Sequence, residues 1–133
     1  MDFVSVDDVR IPALGLGTAR MGGRTCEQAV RQALDLGYRH IDTAQMYGNE
    51  GAVGAGIEAS DVDRAEVFVV TKLDRGNRGY DAVLSSTAES LKQLGTETVD
   101  LLLMHSPNDR VPLSETIESM NELQAEGRGD HIG

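Results

Sequence analysis

The chain has 133 residues, 40% hydrophobic and 26% charged, which suits one globular domain and excludes a disordered segment. Its 22 acidic residues outnumber 12 basic ones, and the net charge of −10 excludes nucleic acid as a partner, because no basic stripe offsets the repulsion of phosphate. No apolar run approaches the roughly 18 residues that cross a membrane, and the opening MDFVSVDDVR is unlike a secretory signal, so the expectation is a soluble, cytoplasmic protein with no membrane partner.

In chain order, FVSV and VRI flank the pair Asp7 and Asp8 and predict a hairpin. Leu14 to Thr18 predicts a short strand. Thr25 with Gln28 has the spacing of a capping box and predicts a helix start, with Gly37 as its stop. Cys26 falls in that helix; a lone cysteine makes no internal disulfide and is expected to be buried and idle. Arg39 to Thr43 predicts a second strand and Glu50 to Ala59 a glycine-weakened helix. Val67 to Thr71 is an apolar, β-branched run suited to a strand buried on both faces. Asp81 to Leu94 predicts a helix whose Val83, Leu84, Thr87, Ala88, Leu91 and Leu94 share a face, ended by Gly95. Val99 to Met104 predicts another buried strand. Pro112 stands near the start of a last helix in which Ile117, Met120 and Leu123 share a face, closed by Gly127, and His131 to Gly133 begins a further strand. Apolar strands alternating with amphipathic helices predict parallel βαβ units, in either an open doubly wound sheet or part of a (β/α)8 barrel, without an internal domain boundary.

In parallel α/β folds reactive groups gather where strands end. Here the strand ends carry Gly17 and Thr18, Asp42, Lys72 and His105. Adjacent parallel strands bring Asp42 within ion-pair reach of Lys72, and Tyr47, five residues on, can fold back over both. An ammonium beside a phenol favours loss of the phenol's proton, so this is a proton-transfer unit, and His105 would donate to or orient a substrate oxygen. His40 and His131 lack such company and are expected to be structural. No spacing suggests a metal site, and Gly15, Gly17 and Arg20 do not complete a dinucleotide-binding glycine fingerprint.

The run Gly37-Tyr38-Arg39-His40-Ile41-Asp42-Thr43-Ala44 followed by Tyr47-Gly48-Asn49-Glu50 resembles the signature of the aldo-keto reductases. Ile11 to Thr18, Thr71-Lys72-Leu73, Glu89 to Gly95, Val99 to His105 and Met120 to Gly127 extend the resemblance over the chain. It implies a (β/α)8 barrel closed underneath by the hairpin, with residues 1 to 133 supplying about the first half of a fold that usually needs about 250 residues. It further implies reduction of a small aldehyde or ketone with NADPH or NADH. Tyr47 would be general acid, tuned by Lys72 and Asp42, with His105 positioning the carbonyl. Gly17, Thr18 and Asp42 would meet the cofactor, and Met46, Tyr47, His105 and Ser106 would border the substrate. Two alternatives stand beside this reading. One is an inactive half-barrel module that self-associates or pairs with another barrel half through open strand edges. The other is a lyase forming a Schiff base at Lys72.

Overall fold

The computed structural model describes residues 1–133. The two-residue turn at Asp7 and Asp8 folds β1 (Phe3–Val6) against β2 (Val9–Pro12), with Val6 opposite Val9. Asp7 takes φ 50°, a left-handed conformation that Asp tolerates better than most side chains. Beyond the hairpin, five parallel strands form one sheet in chain order: β3 (Leu16–Gly17), β4 (His40–Asp42), β5 (Phe68–Leu73), β6 (Val99–Met104) and β7 (Gly129–Ile132). Between successive strands run α1 (Gly23–Asp35), α2 (Glu50–Ala59), α3 (Tyr80–Leu94) and α4 (Leu113–Ala125), each packed on its neighbours in sequence.

The core lies between these helices and one face of the sheet, where Ile41, Val67, Val69, Leu73 and Leu102 meet Val30, Val53, Val83, Leu94 and Leu123. Burying a side chain such as Val69 completely contributes about 1.5–3 kcal/mol. β5 is covered on both sides, as its sequence predicts, and it runs on through Lys72 to Leu73. β6 is less covered than expected, because Leu101 and Leu103 lie on the sheet face turned away from the helices and keep some solvent contact.

Several local expectations change for identifiable reasons. α1 begins at Gly23, not Thr25, and has no side-chain cap; the Cys26 amide already bonds the Gly22 carbonyl at 2.7 Å, so Thr25 sits inside the first turn. Cys26 is buried as expected, and burial pushes its thiol up. Strand β3 keeps only two residues, paired on one side to Ile41 and Asp42. On α3, Ala88 is exposed and Ser90 takes the buried position; on α4, Ile117 is 39% exposed, and Thr116 and Ser119 join Met120 and Leu123 on the inner stripe. Strand β7 starts at Gly129, two residues before His131. Gly37, Gly95 and Gly127 all end helices with positive φ, as the sequence implies.

His40 is structural, as expected. Its ring lies edge-on to Phe68 with centroids 5.4 Å apart, and Nδ1 is 3.1 Å from the Pro12 carbonyl. A Cβ on Gly15, the residue before β3, would fall 2.8 Å from that ring, so a side chain there would have to push His40 aside. His131 lines the base of the sheet beside Leu101 and hairpin residue Val9. Where α3 meets α4, Tyr80 donates its hydroxyl to Glu122, and that bond holds the phenol up at about 12.

The glycines of α2 weaken the isolated helix but permit close helix contacts. A Cβ at Gly54 would lie 2.6 Å from the Leu94 carbonyl oxygen, and one at Gly56 2.7 Å from that of Glu27, while one at Gly51 meets nothing. Gly54→Ala is therefore expected to cost about 1–3 kcal/mol by overpacking, whereas Gly51→Ala should be neutral or stabilise by up to about 1 kcal/mol. Urea unfolding of the two variants checks this; equal effects would show that helix contact does not set the requirement.

Candidate active site

The side chains singled out at the strand ends converge. Register places Asp42 opposite Val70 in β5, so Lys72, two residues further along the same face, reaches back to it. Lys72 Nζ donates to Asp42 Oδ1 and, at 3.0 Å, to the Thr43 carbonyl. Lys72's side chain is 14% exposed and Asp42's is 42% exposed. Tyr47 sits on a single 3-10 turn (Gln45–Tyr47) that ends at Gly48 with φ 65°, and Lys72 Nζ lies 5.4 Å from its ring centroid. His105 follows β6, its amide bonded to the Leu73 carbonyl at 3.2 Å. Its ring stands edge-on to Tyr47, with centroids 5.7 Å apart and planes at 88°. An acid–base pair, a phenol and an imidazole thus stand side by side beyond the strand ends. An ammonium held against a carboxylate is not a carbonyl nucleophile, so the Schiff-base reading loses its support.

Asp42 has one oxygen on Lys72, while Oδ2 takes no hydrogen bond from the protein. Gly17 is exposed, with no atom within 4 Å of where a side chain would start. Together they make an open ledge with a free acceptor, which fits the hydroxyls of a nucleotide ribose. Thr18 points elsewhere. It is fully buried, and its hydroxyl donates to Thr43 Oγ1 (2.9 Å), leaving its part in the site to the anchoring of the β3 end. Met46 is 69% exposed on the turn beside Tyr47, and Ser106 is half-buried beyond His105.

Behind these groups lie buried polar residues, Asn49 and Glu50, whose place in the site is visible only in the folded chain. Asn49 is 4% exposed; Nδ2 donates to the carbonyls of Thr18 (2.8 Å) and Met21 (3.2 Å), and Oδ1 accepts from Thr43 (3.0 Å). It ties the loop after β3 to the loop carrying Tyr47. Glu50, 5% exposed, accepts from Thr71 Oγ1 (2.6 Å) and Ser90 Oγ (3.0 Å), and burial pushes its carboxyl up. Ser90 also accepts from Gln45 Nε2 (3.2 Å), whose Oε1 takes the Asp74 amide (2.8 Å). Glu50 thereby couples the residue before Lys72 to the turn bearing Tyr47. Their signal was their place directly after Tyr47-Gly48, two polar residues where an amphipathic helix turns inward.

Removing Asn49 takes the partner of the Met21 carbonyl and of the Thr43 hydroxyl's proton and the shorter of two donors to the Thr18 carbonyl, so Asn49→Ala is expected to cost about 1–3 kcal/mol, read by urea unfolding. Glu50 makes a pH prediction. A carboxyl whose folded value is raised binds its proton more tightly in the fold than in the unfolded chain, so it contributes stability below 4.5 that is lost as pH rises through the folded value. Wild type should therefore lose ground against Glu50→Gln as pH is raised above 4.5; a stability difference independent of pH would contradict the burial effect.

Comparison with known proteins agrees with this geometry. The model of the Aldo/keto reductase family matches residues 13–133. The chain is 46% identical over 125 residues to methylglyoxal reductase DkgB of Escherichia coli O157:H7, covering 92% of this chain and 47% of that protein. It superposes with a TM-score of 0.93 and 41% identity on the aldo/keto reductase from Brucella melitensis, over 99% of this chain and 52% of that one. The Bombyx mori aldo-keto reductase in complex with NADP gives 0.88 and 35%, over 99% and 49%. The chain spans about half the length of the curated relatives it matches. Its five-stranded sheet and four helices are accordingly part of a (β/α)8 barrel, as the signature implied. The residues from Ala13 onward belong to the aldo/keto reductase family.

Proposed function

We propose that this chain carries the proton-transfer half of a carbonyl reductase that uses a nicotinamide cofactor, NADPH in the first place and NADH as the alternative. The observation that carries the reading is the meeting of Asp42, Lys72, Tyr47 and His105 beyond the strand ends. The bound nicotinamide would supply hydride to an aldehyde or ketone carbon. Tyr47 protonates the carbonyl oxygen as it gains charge. Lys72, held by Asp42 and the Thr43 carbonyl, stabilises the phenolate left behind. His105 Nδ1 is buried without a partner, so a neutral ring protonated on Nε2 leaves only a lone pair in the dry position and offers its N–H to the carbonyl. Gly17 and Asp42 form the ledge for the ribose, fixed from behind by Thr18. Met46 and Ser106 flank the place for the substrate's remaining groups. NADP in the complex of the Bombyx mori relative supports the choice of cofactor.

A second reading rests on the sheet itself, which pairs β3 and β7 on one side only. Such edges favour self-association or docking of a complementary barrel half. Light scattering on the purified chain decides it, and a stable monomer argues against it.

Purified chain should oxidise NADPH with a simple aldehyde, and Tyr47→Phe should lower the rate by roughly 10²- to 10⁴-fold with NADPH binding unchanged. Equal turnover in wild type and variant would remove Tyr47 from the reaction.

A further inference from the structure

The turn that presents Tyr47 has little of its own to hold it. None of its three residues is buried, and its backbone closes two bonds, from the Tyr47 amide to the Ala44 carbonyl and from the Gly48 amide to the Gln45 carbonyl, each at 3.2 Å. The side chain of Gln45 fastens it to the chain beyond β5. Oε1 accepts from the Asp74 amide (2.8 Å) and from Asn77 Nδ2 (3.0 Å), both in the loop that follows Lys72 and Leu73, while Nε2 donates to Ser90 Oγ (3.2 Å) on α3. Two residues before Gln45, the Thr43 carbonyl accepts Lys72 Nζ at 3.0 Å. Residues 43 and 45 are thus both tied to the segment 72–77, and Tyr47 stands two residues beyond the second tie.

The direction of these bonds is forced. A backbone amide can only donate, so the Gln45 oxygen must face Asp74 and its nitrogen must face Ser90. Ser90 Oγ therefore accepts from Gln45 and turns its single proton to Glu50 Oε1 (3.0 Å), while Glu50 Oε2 takes the proton of Thr71 (2.6 Å). Donors run one way, from Gln45 through Ser90 to Glu50. A glutamine that only filled space would not need its amide oriented from both ends.

We propose that Gln45 is a positioning residue of the site: oriented by Glu50 through Ser90, it holds the turn so that the Tyr47 phenol stands beside Lys72 and His105. Its effect on turnover rests on the reductase reading above; its hold on the Tyr47 ring does not.

Two isosteric substitutions test the direction of the bonds as well as their presence. In Gln45→Glu the new carboxylate still accepts from Asp74 and Asn77, but it competes with Glu50 for the one proton of Ser90. Adding Glu50→Gln restores a donor toward Ser90, and every bond can be remade with the order reversed. In isotope-labelled full chain, the cross-relaxation between the rings of Tyr47 and His105, which stand edge-on with centroids 5.7 Å apart, should be lost in Gln45→Glu and return in the double variant. A signal unchanged in Gln45→Glu, or a double variant no better than Gln45→Glu, overturns the proposal. If Gln45→Glu fails to fold, Gln45→Met, which keeps the length but has no amide, takes its place: the ring signal should be lost there and present in the double variant, and the reverse overturns the assignment. Where turnover is present, Gln45→Glu should lower kcat by about tenfold or more with KM for a simple aldehyde unchanged, and the double variant should recover to within about threefold of wild type. A raised KM with kcat unchanged would place Gln45 in substrate binding and overturn the positioning role. Failure of the reductase reading looks different: no NADPH oxidation by wild type or variants, while the ring signal still follows the exchange.

Discussion

The parallel pairing of β4 with β5 is the constraint on which the site depends. With His40 opposite Phe68 and Asp42 opposite Val70, the carboxylate and the ammonium of Lys72 fall on the same face at neighbouring strand ends. A slip of one residue would turn Lys72 toward the helices, into the layer now filled by Val69, Thr71 and Leu73. The apolar side chains of β5 on that layer oppose such a slip, because each would lose its place between sheet and helices. Core packing and the chemistry of the site are therefore two readings of one register.

The second requirement is that the loops hold their shape, and buried polar groups do this where hydrophobic packing cannot. Asn49 supplies both donors to the loop after β3 and an acceptor to Thr43 after β4, and Glu50 reaches the β5 strand and, through Ser90, the Gln45 side chain. Such groups are expensive to bury singly and specific when satisfied together. The turn presenting Tyr47 is only three residues long and has no core of its own, so its position is set by these bonds.

Much of this was legible in the residues. Strand identity followed from apolar runs, helix ends from Gly37, Gly95 and Gly127, and the meeting of Asp42, Lys72, Tyr47 and His105 from their places at strand ends. What escaped depended on partners distant in sequence. Ser90 is buried because Glu50 needs a donor, and Ile117 is exposed because α4 rolls Thr116 toward the Arg78 carbonyl. Thr25 matched a capping pattern, yet backbone bonding began earlier, at Gly22. Periodicity reports which residues could share a face, and the neighbouring element decides which of them do.

The unbroken chain order of the sheet has a consequence for how the molecule is made. Every strand pairs only with the one before and after it, and every helix packs beside its sequence neighbours. Each parallel crossover therefore closes a loop of a few tens of residues, so the entropy of closure is lost in modest steps, although parallel pairing is itself slow to form. A nascent chain leaving the ribosome can add each βα unit to an edge already formed. The cluster of Asp42, Tyr47, Lys72 and His105, drawn from β4, its following turn, β5 and the residue after β6, is then complete only when the last of these docks, so its geometry is among the final things that synthesis of this segment delivers.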